Sequence, residues 1–157
     1  MSQKEQNKVS LGRLIAPSRV LVADEYPGKK ELIEALVQAV CRDCPQLDPA
    51  YVASQVLKRE EGISTTLDTG LAIPHARLEE LTDFAAAVAV LRRPIVPTAE
   101  NELPIRVMFL FLSPAKPTFF QQHLQILSAL AEKFKPEFIE ELVSLKDAQE
   151  IAARLAR

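Results

Sequence analysis

The chain lacks tryptophan and has only four glycines, two cysteines and two histidines among its 157 residues. So little glycine leaves no phosphate-cradling loop of the P-loop kind, and no His-Glu-x-x-His zinc motif is present. Two cysteines are too few for a disulfide scaffold. Charge of one sign is missing too: the net charge is -2, without the basic excess that marks a nucleic-acid binder. The longest strongly apolar run, residues 107–112, is far too short to cross a bilayer. Residues 1–8 are polar and mixed in charge, unlike a secretory signal. These absences predict a cytoplasmic protein with no membrane insertion. Residues 1–10 read as a flexible N-terminus, and 11–157 as one domain.

What is present is a regular alternation of patterns. Leu11, Leu14 and Ile15 suggest a short first helix stopped by Pro17. Residues 19–23 read as a strand. Leu32, Ile33, Leu36, Val37 and Val40 recur at helical spacing. Asp48-Pro49 looks like an N-cap followed by proline at the first helical position, opening a helix through Val52 and Val56 to about Arg59 and Gly62. Residues 71–73 and 84–91 read as strands, and Pro94 and Pro97 as the start of a loop. Residues 106–112 suit a central strand covered on both faces. Thr118-Phe119-Phe120-Gln121 has capping-box spacing, ahead of a helix carrying Phe120, Leu124, Leu127, Ala131 and Phe134. Two shorter helices, 136–145 and 147–155, complete the chain. Helices before, between and after four strands predict helices on both faces of a sheet.

Two histidines narrow the search for chemistry. His75 follows Pro74 directly after an apolar strand. Proline stops strand pairing and holds Ile73 extended, which places His75 on a stiff turn. A neutral imidazole there is a nucleophile through one nitrogen while the other is held by an acceptor. His123 borders the apolar stripe of its helix, near the positive helix end, and is either a boundary histidine of an amphipathic helix or a donor to a phosphoryl oxygen. Arg59 stands at i, i+4, i+7 with Val52 and Val56, and is either a cation at a helix C-terminus or a phosphate clamp. Cys41-Arg42-Asp43-Cys44 lies at a helix end rather than a helix start, against a redox pair, and reads as structural. A metal-binding enzyme built from the two histidines and two cysteines is a further alternative, although their spacing matches no zinc finger or ribbon.

Arg59-Glu60-Glu61-Gly62-Ile63-Ser64-Thr65-Thr66, then Gly70-Leu71-Ala72-Ile73-Pro74-His75-Ala76, resembles the active-site signature of enzyme IIA domains of the bacterial phosphoenolpyruvate-dependent sugar phosphotransferase system. The likeness is to the mannitol and fructose type, which includes nitrogen-regulatory IIA proteins. The stretch from His123-Leu124-Gln125 to Ala131 is similar to that family's second histidine segment. The resemblance covers nearly everything from Leu11 onward. It implies an α/β fold: a three-layer α/β/α sandwich with a mixed sheet of about four to five strands. It also implies a phosphohistidine at His75, charged on Nε2 by HPr or an HPr-like carrier. Arg59 would clamp phosphoryl charge and His123 would hydrogen-bond the phosphoryl group. A IIB domain or a regulatory target would receive the signal, and no metal or cofactor would be needed. Asp68 departs from the family by standing where glycine is common, and Asn101-Glu102-Leu103-Pro104 replaces an Asp-Gly turn. The absence of an attached IIB or membrane segment tilts the reading toward a free-standing regulator. The same fold also occurs in cytoplasmic interaction domains of anion transporters, which carry no phosphate.

Overall fold

The computed structural model describes residues 11–62, 65–96 and 103–156. The segment 1–10, Ser64, Pro97, and Asn101 with Glu102 lie outside them.

Two short 3-10 turns, Leu11–Arg13 and Pro17–Arg19, lead into strand β1 (Val20–Ala23). Helices α1 (Lys29–Cys41) and α2 (Pro49–Gly62) follow, then β2 (Leu71–Ala72), β3 (His75–Leu78), β4 (Ala85–Ile95) and β5 (Ile105–Pro114). A 3-10 turn, Pro117–Phe119, opens α3 (Phe120–Lys133), and α4 (Pro136–Ser144) and α5 (Ala148–Leu155) close the chain. The sheet order is β1-β4-β5-β2, with β3 also on β5. Only β4 and β5 run antiparallel; the other pairs are parallel.

Period-two alternation along β5 builds two cores. Met108, Leu110 and Leu112 pack with Leu32, Leu36, Val52 and Val56 of α1 and α2. Val107, Phe109 and Phe111 pack with Ile126, Leu130, Ile139 and Ile151 of α3, α4 and α5. A strand buried on both faces needs an unbroken apolar run, and residues 107–112 supply one. The expected three-layer α/β fold with a mixed sheet is therefore present, with five strands among the described residues.

The structure corrects four local expectations. First, His75 does not sit on a turn but begins β3. Leu71 pairs with Val107 and His75 with Phe111, so β2 and β3 share one register along β5. Pro74 removes one donor from the ladder, while its carbonyl still accepts from Phe111 N–H at 3.1 Å. Second, β4 continues through Pro94. Beyond Leu91 it has outrun β1, and its pairing with β5 shifts between Val90 and Ile95, an irregularity that tolerates proline. Third, Thr118 caps nothing. Pro117 starts the 3-10 turn one residue earlier, and the helix N-cap is Phe119, with no side-chain bond. Fourth, the buried stripe of α3 is His123, Ile126 and Leu130, while Phe120 and Leu124 are 46% and 48% exposed.

Candidate functional site

A tight hairpin delivers His75. Gly70 has φ +98°, a left-handed conformation that favours glycine, and it closes a turn with Leu67. Ile73 N–H then donates to Thr65 O at 3.2 Å. Its carbonyl accepts from Nδ1–H of His75 at 2.7 Å. A carbonyl only accepts, so Nδ1 carries the proton and Nε2 keeps its lone pair. That lone pair accepts from Arg59 Nε–H at 3.0 Å.

Glu60 braces the start of this hairpin. Its carboxylate, with 7% of the side chain exposed, accepts from Thr65 N–H and Thr65 Oγ–H, and lies 2.7 Å from Lys29 Nζ.

The His75 ring is 3% exposed and stacks on Phe111, with centroids 5.2 Å apart. His123, also 3% exposed, approaches it edge-on at 5.2 Å. Nδ1 of His123 lies 2.6 Å from Oγ of Ser113, a fully buried residue on β5. Arg77, two residues past His75, lies over the Phe120 ring at 5.1 Å and donates to Lys116 O.

The structure thus brings together all three residues singled out in the sequence. Arg59 arrives from the α1–α2 layer and His123 from the α3 layer. His75 stands on the edge strand between them, which lets both reach it. The inward stripe is not how Arg59 gets there: Val52 and Val56 are buried, but Arg59 is exposed and reaches round the sheet edge. His123 is likewise no border residue but part of the buried stripe. Sequence reading missed Glu60, Arg77 and Ser113 as neighbours. Strand alternation marks Arg77 as sharing a face with His75, and Ser113 as sharing one with Phe111.

Burial holds the His75 pKa below its usual value, and the Arg59 charge adds to this. The Ile73 hydrogen bond and Glu60 oppose it. His123 is pushed down to about 4, by burial first and then by the charges of His75, Arg77 and Arg59. Both rings are neutral near pH 7. A depressed histidine pKa means that the unfolded chain binds the proton more tightly. The resulting stability is present above pH 6.5 and is lost as pH falls toward 4. From His123 the loss is about 2–3 kcal/mol. Denaturant titrations at pH 7 and pH 4.5 should show wild type losing more stability than His123→Gln by about that amount. Equal losses would mean that His123 is not held neutral.

Cys41 and Cys44 are unbridged, and burial raises the pKa of the Cys41 thiol, followed by Cys44 and Asp48. Among the described residues, no three His, Cys, Asp or Glu side chains are grouped to hold a metal ion. No helix among them is long and apolar enough to cross a membrane.

Comparison with known proteins adds to the geometry. Residues 13–157 match the family model described as phosphoenolpyruvate-dependent sugar phosphotransferase system, EIIA 2. A nitrogen regulatory protein of Pseudomonas aeruginosa is 30% identical over 123 residues, covering 78% of this chain and 79% of its own. The nitrogen regulatory protein IIA-Ntr of Neisseria meningitidis superposes with a TM-score of 0.81 at 31% identity, over 92% of this chain and 98% of that one. A complex of enzyme IIA-Mtl with phosphorylated enzyme IIB-Mtl from Escherichia coli matches with a TM-score of 0.73 at 15% identity, over 90% and 96%, and shares the fold.

Proposed function

Because this chain belongs to the family of EIIA 2 components of the phosphoenolpyruvate-dependent sugar phosphotransferase system, we propose that it is a phosphocarrier that takes a phosphoryl group onto Nε2 of His75. The observation that carries this reading is the pair of contacts on one imidazole: Nδ1–H to the Ile73 carbonyl, and an unprotonated Nε2 facing Arg59. The donor is HPr or an HPr-like phosphohistidine carrier. The acceptor is a IIB domain, in keeping with the complex of the mannitol relative, or a target that reads the phosphorylation state, in keeping with the nitrogen regulatory relatives.

In transfer, the donor's P–N bond breaks as the phosphorus–Nε2 bond forms. His75 keeps its Nδ1 proton, so the phosphorylated ring is a cation whose N–H stays on the Ile73 carbonyl. Arg59 leaves the lone pair and turns its donors to the phosphoryl oxygens, where a guanidinium offers paired bonds. His123 donates to another oxygen. Transfer of this kind needs positioning and positive charge more than a protein acid or base.

Incubation with phosphoenolpyruvate, enzyme I and HPr should add one acid-labile, base-stable phosphoryl group by mass spectrometry. Peptide mapping should place it on His75. A chain that stays unlabelled beside a labelled control IIA would leave the alternative, a non-catalytic interaction module of the same fold.

His123→Ala should still accept phosphate, but more slowly. One hydrogen bond to a charged group, about 1.5–3 kcal/mol, is lost. That is roughly ten- to hundredfold in rate if the bond forms fully only in the transition state. Phosphate mapped to His123 instead of His75 would reverse the two roles.

A further inference from the structure

We infer that Ser113 is a positioning residue for phosphoryl transfer: its hydroxyl donates to Nδ1 of His123 and thereby keeps the proton of that ring on Nε2. The inference rests on the phosphocarrier reading for its purpose, though not for its geometry. Ser113 is fully buried, and its Oγ lies 2.6 Å from His123 Nδ1. A buried hydroxyl proton needs an acceptor. Nδ1 of His123 is the one partner of Ser113 Oγ among the described residues. If Nδ1 instead carried the proton and donated to Oγ, the proton of the fully buried Ser113 hydroxyl would be left without an acceptor. Leaving a buried donor unmet disfavours that arrangement by roughly tenfold or more. The preferred tautomer of His123 is therefore Nε2–H, the opposite of His75.

The opposition suits the chemistry. Transfer needs one ring with a lone pair at Nε2 and a neighbour with a proton to donate. β5 supplies both supports at a spacing of two residues on one face: Phe111 stacks on His75, and Ser113 holds His123. The buried, neutral state of His123 accords with this, since a neutral imidazole has only one N–H to place.

Long-range proton–nitrogen NMR on imidazole-labelled, unphosphorylated protein reads the tautomers directly. Wild type should show His75 as Nδ1–H and His123 as Nε2–H. Ser113→Ala should move His123 toward a mixture of tautomers and slow transfer from phospho-HPr by about tenfold, with the thermal melt close to wild type. Should Ser113→Ala fail to fold, Ser113→Cys keeps nearly the same volume with a weak donor, and should show the same two changes in smaller measure. An Nδ1–H tautomer of His123 in wild type overturns the proposal outright. So does a folded Ser113 variant whose His123 tautomer or transfer rate is unchanged. A wild-type protein that takes no phosphate would overturn the phosphocarrier reading, and with it the role of Ser113 in transfer. The tautomer measurement would still decide whether Ser113 sets the protonation of His123.

Discussion

Replacing His75 by alanine is expected to abolish phosphorylation, from one group per chain to none, while the fold survives. Nothing else nearby duplicates its chemistry. His123 is the other imidazole, but its Nδ1 is taken up by Ser113. A phosphorylated Nε2 of His123 would require the proton on Nδ1, and Ser113 Oγ would then accept it while its own buried proton went without an acceptor. The structural cost of the change is confined to one side chain on the edge strand, whose ring stacks on Phe111 of the core beneath α3, α4 and α5. His75→Gln keeps more of the volume and should be equally inactive, because an amide nitrogen is no nucleophile. Circular dichroism and a thermal melt check the fold, and phosphoryl labelling checks the function. A His75→Ala protein that labels as well as wild type would falsify the assignment.

Arg59→Lys should separate two roles that the geometry combines. Arg59 lies in the last turn of α2, where any cation gains from the helix dipole by roughly 0.3–1 kcal/mol. Lysine keeps that gain, so the melt should hardly move. Lysine lacks the planar fork, however, and cannot place several donors at fixed angles on a phosphoryl group. Losing a preorganised donor at developing negative charge costs about a hundred- to a thousandfold in rate. We therefore expect near-normal stability with transfer to and from His75 slowed by about that factor. Rapid-quench time courses beside melts of the same preparation make the comparison. Wild-type kinetics in a folded Arg59→Lys protein would leave only the helix-terminus role.

Much of the architecture was legible because it is local. Leu32, Leu36, Val37 and Val40 repeat at helical spacing and lie buried on α1. Residues 107–112 form an unbroken apolar run because both faces of β5 are covered. The misreadings were local signals overruled by neighbours. Pro74 looked like the end of a strand, yet an edge strand can lose one donor and keep its register. Thr118 had the right spacing for a cap, yet Pro117 had already begun the turn. Phe120 and Leu124 looked like core because they are apolar, but the three-dimensional stripe runs through His123, Ile126 and Leu130.

The identities of His75, His123 and Arg59 as candidates came from residue type, from Pro74 beside the strand, and from a motif read along the chain. All of these are properties of near neighbours in sequence. Their meeting was decided by the tertiary structure alone. Arg59 and His123 belong to layers on opposite sides of the sheet, and only an edge strand at β3 lets both reach one imidazole. The protonation of each ring was settled there too. A histidine's tautomer follows from the partner of its other nitrogen: a carbonyl for His75, a buried hydroxyl for His123. No spacing in the chain announces the second partner, because Ser113 meets His123 only after strand and helix have packed.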